Sequence, residues 1–160
     1  MRVVACRLVA GSVLALFAAA CGGGGPEPEP LVCAAGELRY RGELAGSPVE
    51  GVLPVAGQVV ENTASPDGCL LRVYLDPTGR LEFAWPDPIV TGTPASASGS
   101  LNLAARGLFN VGNCSTEGLP SEVTLSEGGA RFLLRSLREA PYCSGATKEG
   151  EIEGCVSFVR

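Results

Sequence analysis

Residues 69–85 read CLLRVYLDPTGRLEFAW. Leu71, Val73 and Leu75 fall on one face of this stretch and Leu70, Arg72 and Tyr74 on the other, the period of two expected of a half-buried strand. Asp76-Pro77-Thr78-Gly79 then supplies turn chemistry, because proline fixes φ and glycine accepts a positive one. Alternation resumes with Leu81, Phe83 and Trp85 against Arg80, Glu82 and Ala84. Two alternating runs around a turn predict a β-hairpin.

The same period extends outward. Leu38, Tyr40 and Leu44 alternate with Glu37, Arg39, Arg41 and Glu43, and Val49 to Val60 predicts one or two further strands interrupted at Pro54. A second hairpin is expected over Glu122–Leu137, turning at Glu127-Gly128-Gly129 with Phe132 and Leu134 facing inward. Leu101 and Leu103 mark another strand, and Ile152, Val156 and Phe158 the last, where Gly154 predicts a bulge or a close backbone neighbour. The run from Gly92 to Ser100 reads as a small-residue loop. The best helix windows, Leu101–Phe109 and Arg131–Glu139, fit strands equally well. With 22 Gly and 12 Pro punctuating short apolar runs, the class is all-β. The expected architecture is an antiparallel β-sandwich, with a small up-and-down or partly open β-barrel as the alternative. Two pentapeptides look alike, Gly42-Glu43-Leu44-Ala45-Gly46 and Gly150-Glu151-Ile152-Glu153-Gly154, a similarity that five residues in a Gly- and Glu-rich chain reach by chance.

The N-terminal segment has a different character. Arg2 and Arg7 precede an uninterrupted apolar and small run from Leu8 to Ala20. As a helix that run rises about 20 Å, short of the roughly 30 Å hydrocarbon core of a bilayer, so it reads as the core of a signal peptide rather than a spanning helix. It ends in Phe17-Ala18-Ala19-Ala20-Cys21, which resembles the lipobox of bacterial lipoproteins, with Ala18 standing where that family usually carries Leu. The resemblance covers residues 1 to about 30 and implies cleavage before Cys21, with acyl lipid (palmitate among it) attached to the Cys21 thiol. Gly22 after the acceptor, rather than Asp, implies by the same resemblance an outer-membrane address. A tether suits the stretch that follows, Gly22-Gly23-Gly24-Gly25 and then Pro26-Glu27-Pro28-Glu29-Pro30. The expected organisation is therefore a signal peptide over 1–20, a lipidated cysteine and tether over 21–32, and a single β-rich domain over 33–160, with the membrane as partner through Cys21.

That address sets the expectation for the remaining cysteines. Cys33, Cys69, Cys114, Cys143 and Cys155 sit in an oxidising compartment, so disulfides are the default. Five is odd, so at most two bridges form within the chain and one thiol is left over, expected to be buried and inert. No Cys-x-x-Cys occurs and the chain has no His, which argues against a metal site.

The absence of His removes the usual general base, the activator of Ser and Cys nucleophiles, and the commonest metal ligand. From Cys21 onward 10 basic residues face 17 acidic ones, a net charge of −7, which argues against nucleic acid as partner. Glu149, Glu151 and Glu153 alternate beside glycine and read as a solvated face rather than an acid–base pair. Asp67, Asp76 and Asp87 lack the spacing of a calcium loop. Trp85 ends its strand before Pro86-Asp87-Pro88 and reads as core or rim packing rather than a ligand platform. No catalytic residue and no cofactor are assigned. The expected function is non-enzymatic: a lipid-anchored envelope domain that binds or scaffolds an envelope protein or glycan. The alternatives are a His-independent enzyme with a carboxylate or Ser centre (a Ser beside Lys148, for example) and an assembly or inhibitor module.

Overall fold

The computed structural model describes residues 29–63, 68–76, 78–113, 120–139 and 150–159. Ten strands form the fold: β1 (Glu37–Leu44), β2 (Ser47–Glu61), β3 (Cys69–Leu75), β4 (Gly79–Trp85), β5 (Ala95–Asn102), β6 (Asn110–Asn113), β7 (Ser121–Ser126), β8 (Gly129–Leu134), β9 (Leu137–Glu139) and β10 (Ile152–Ser157). Each pairs antiparallel with its neighbours, β4 also pairs with β5, and β10 returns to β1, which closes an eight-stranded barrel. The count is eight because two strands are interrupted. β5 meets β6 through Ser100–Asn102 and β7 through Ala95–Ala97, so β6 and β7 form one broken staircase along the same edge of β5. β8 and β9 continue one another in the same way beside β7 and β6. The path is thus an up-and-down meander. The all-β expectation takes the form of its barrel alternative rather than of two facing sheets.

Both expected hairpins are present. Ser126 faces Gly129 across the Glu127-Gly128 turn, and Leu75 faces Gly79. Pro54 does not interrupt its region: β2 runs 15 residues through it, joining β1 with its first half and β3 with its second. The β1–β2 turn is Ala45-Gly46, with φ of 51° and 76°, the positive pair that a two-residue hairpin turn requires. Residues 95–100, expected as a loop, belong to β5. Their small side chains are a packing solution. A Cβ on Gly99 would lie 2.7 Å from Leu134 Cδ2 and collide with the Phe83 ring. Gly154 is similarly placed: a Cβ there would lie 2.5 Å from the Arg39 carbonyl oxygen and collide with the Phe132 ring. The two glycines let Phe83 and Phe132 meet across the interior with centroids 5.7 Å apart.

Inward residues of every strand merge into one apolar core in which Leu38, Leu71, Val73, Leu81, Phe83, Leu101, Val123, Leu134 and Ile152 are fully buried. An eight-stranded barrel is just wide enough to be filled by side chains or to hold one small ligand; this one is filled. Its outer wall carries charge, with ion pairs Arg41–Glu153, Arg72–Glu82 and Arg135–Glu122. An apolar interior under a charged wall reverses the pattern of a barrel that spans a membrane.

The lower rim bears the β2–β3, β4–β5 and β7–β8 connections. There the Asn62 amide donates to the Ile89 carbonyl (2.7 Å) and accepts from the Ile89 N–H (2.9 Å) and the Trp85 indole N–H (3.2 Å). Trp85 is therefore rim packing, 3% exposed. Gln58 grips the chain end similarly, donating to the Val159 carbonyl and accepting from its N–H.

Candidate functional site

A depression of about 840 Å³ lies on the outer wall near the upper rim, across β2, β1, the lead-in to β10, and β8. Pairing registers line up a transverse row of outward side chains: Glu50 on β2, Arg41 on β1, Glu153 on β10, Leu133 on β8 and Glu122 on β7. Arg41 Nε holds Glu153 at 2.5 Å, and Arg135 binds Glu122 at 2.6 Å while its Nε stands 3.3 Å from Glu151. Pro48 and Val49 complete the apolar part of the lining with Leu133.

Glycine shapes this groove. Gly150, at φ +142°, and Gly42 allow the chain before β10 to press against β1, and the Glu43 N–H donates to the Glu151 carbonyl at 2.9 Å. A side chain at Gly42 or Gly150 would collide with the backbone of Glu151 or Glu43 respectively. The two look-alike pentapeptides thus lie side by side, Gly42 opposite Ile152 and Tyr40 opposite Gly154. The lining carries one arginine against four glutamates, Glu43, Glu50, Glu151 and Glu153.

The structure gathers some of the sequence-derived candidates and separates others. Cys33 and Cys155 are bonded, Cα to Cα 5.9 Å, across 122 residues of chain. Cys155 points out from β10 and is covered by the N-terminal segment that carries Cys33. Cys69 is a buried free thiol whose Sγ donates to the Thr63 carbonyl at 3.5 Å. Cys21, Cys114, Cys143, Lys148, Glu149 and Asp67 lie outside the described residues. Glu151 and Glu153 line the groove, Glu153 in an ion pair with Arg41. Asp76 sits in the turn at one end of the β3–β4 hairpin and Asp87 beyond the other, so they do not converge. Among the described residues no three His, Cys, Asp or Glu side chains cluster to hold a metal ion, and no helix is long and apolar enough to cross a membrane.

Sequence reasoning missed Arg41 and Glu50 as neighbours of Glu153. The alternation of Arg39, Arg41 and Glu43 placed these residues on an outer face, but only the register brings that face beside β10.

The fold defines the class, a closed meander barrel of eight strands with a filled interior. No protein-family model, curated protein or solved structure matches the chain.

Proposed function

We propose that this protein is a non-enzymatic, lipid-anchored barrel that holds an envelope partner on its outer wall. The observation that carries the reading is the groove over β2, β1 and β10, combined with an interior already filled by its own side chains. A barrel with a packed lumen recognises through its surface. The groove has the size of a binding cleft and mixes apolar floor with polar rim. Two of its carboxylates, Glu151 and Glu153, stand beside arginines, an arrangement that suits recognition better than proton transfer.

The anchor part rests on the sequence: a signal-like run, the lipobox-like Ala18-Ala19-Ala20-Cys21, and a Gly and Pro-Glu spacer, on an outer-membrane address implied by Gly22. Two measurements test the whole. Mass spectrometry of the mature N-terminus should find acylated Cys21, whereas a free amine at residue 19 or 22 refutes the anchor. A photo-crosslinking side chain at Leu133, in the full chain in its own envelope, should give a discrete adduct that the same probe at Arg80 on the β3–β4 wall does not. Equal labelling from both positions, or none from Leu133, refutes the groove.

A further inference from the structure

The upper half of β2 has a neighbour on one side only. β1 pairs with Ser47–Pro54, but β3 reaches β2 only from Val55 to Glu61, and no described strand pairs with the other edge of residues 47–53. Peptide groups along an antiparallel strand point alternately to its two sides, and flanking bonds fix the phase here. The Val55 N–H donates to the Gly36 carbonyl (2.8 Å) on the β1 side, and the Pro54 carbonyl accepts from the Asp76 N–H (3.2 Å) on the β3 side. Odd residues of this half are therefore spent on β1. Even residues, Pro48, Glu50 and Val52, turn their peptide groups to the open edge.

The edge is bounded. Pro48 and Pro54 have no N–H, a common way of limiting strand pairing. Between them stand two complete peptide units, those of Glu50 and Val52, and Val52 is 53% exposed. We infer that this edge takes one extended strand of a partner, running antiparallel to β2, with a basic residue opposite Glu50 and an aliphatic residue opposite Val52. The inference rests on the groove-binding reading and names how the partner is gripped. Main-chain bonds at Glu50 and Val52 supply the hold, and side chains on the outer face supply selectivity. Charge selects the occupant: a basic residue beside Glu50 joins a lining with one arginine against four glutamates.

A second copy of this chain is the poorer occupant. In the register centred on Glu50 the two carboxylates face each other, in the one centred on Gly51 Pro48 faces Pro54, and both copies bring the same excess of acid. Read from N to C terminus, the preferred segment is aliphatic, any residue, then Lys or Arg.

The test uses ¹⁵N-labelled full chain in detergent and three synthetic peptides. The first is acetyl-Thr-Ser-Val-Thr-Lys-Thr-Ser-amide, the second replaces its Lys by Glu, and the third N-methylates its Val and Lys. The first peptide should shift the backbone amides of Glu50 and Val52. N-methylation, which deletes the two donors facing β2, should weaken binding about tenfold or more. The Glu peptide should bind about fivefold more weakly at low salt. Val52→Pro, which removes a free donor and no barrel bond, should weaken the first peptide as well. Equal binding of the N-methylated peptide, or no shift at Glu50 and Val52 with any peptide, overturns the inference. If the Leu133 probe still captures its partner in that case, the groove reading stands and only the edge falls. Concentration-dependent self-association through the same two amides, without peptide, overturns it in favour of a second copy.

Discussion

Tyr40 shows how much one buried side chain can report. It stands on β1 between Gly154 of β10 and Gly51 of β2, and only glycine at position 51 leaves room for the ring: a Cβ on Gly51 would lie 2.6 Å from its hydroxyl oxygen. Phe109 meets it edge-on at 5.9 Å. Burial raises the Tyr40 phenol above its ordinary value of 10.0, and the charge of Arg106 offsets part of that rise. Because the folded state keeps this proton longer than the unfolded chain does, the contribution is fully present below pH 10.0 and is lost as pH rises through the folded value. Stability should therefore fall on the alkaline side from about pH 10 upward. In Tyr40→Phe that fall should be shallower, and the late component of the tyrosine absorbance titration should disappear. A variant whose alkaline unfolding curve superimposes on that of the parent would show that Tyr40 ionises as freely as in the unfolded chain.

At the scale of elements, the two interrupted strands are the least expected part of the fold. Where β5 changes partner from β6 to β7, the Gly99 N–H would have no ladder acceptor, and Asn113 Oδ1 takes it at 2.7 Å. On the other side of the same interruption, Ser121 Oγ accepts the Arg135 N–H at 3.1 Å. These are the two buried polar side chains of the described core, 8% and 0% exposed, and both repair the broken ladder. Asn113→Ala should cost about 1–3 kcal/mol, since a buried donor is left without a partner, and should speed amide exchange at Gly99. Ser126→Ala, at an exposed turn position, should stay within about 0.5 kcal/mol of the parent in urea unfolding. A similar cost for the two variants would remove Asn113 from this role.

Such details explain what could be read from the chain. Period-two alternation exposed both hairpins, because inward Leu71, Val73, Phe83 and Phe132 differ sharply from their polar neighbours. β5 was hidden because its inward positions Ala97 and Gly99 are small to admit Phe83, so size rather than polarity carries the pattern. β6 and β9 are too short to show a period, and barrel closure depends on the β10–β1 pairing, a contact more than 100 residues apart that no local window contains. The groove was half legible: Glu151 and Glu153 were visible as an outer face, but Arg41 joins them only through that closing pair.

At the scale of the whole molecule, the Cys33–Cys155 bridge joins the segment before β1 to the outer face of the barrel's last strand. Since β10 pairs with β1 on one side and β8 on the other, the bridge and the closing strand reinforce the same seam. Under the proposed anchor, a pull on Cys21 would reach the barrel at β10 through the bridge instead of peeling β1 from its end. The bridge spans 122 residues, and cross-links over loops of that length restrict the unfolded chain strongly. Cys33→Ser should therefore lower the unfolding free energy by about 2–5 kcal/mol. Reductant should produce the same loss in the parent. A further loss on reducing the Cys33→Ser variant would report a second bridge, for which Cys114 and Cys143 are the remaining candidates. Cys69, buried with its thiol on the Thr63 carbonyl, should resist alkylation in the folded parent and react once urea opens the barrel. Rapid native labelling of Cys69 would show that its thiol is not shielded in the folded barrel, and a parent indifferent to reductant would mean that the seam is held by strand pairing alone.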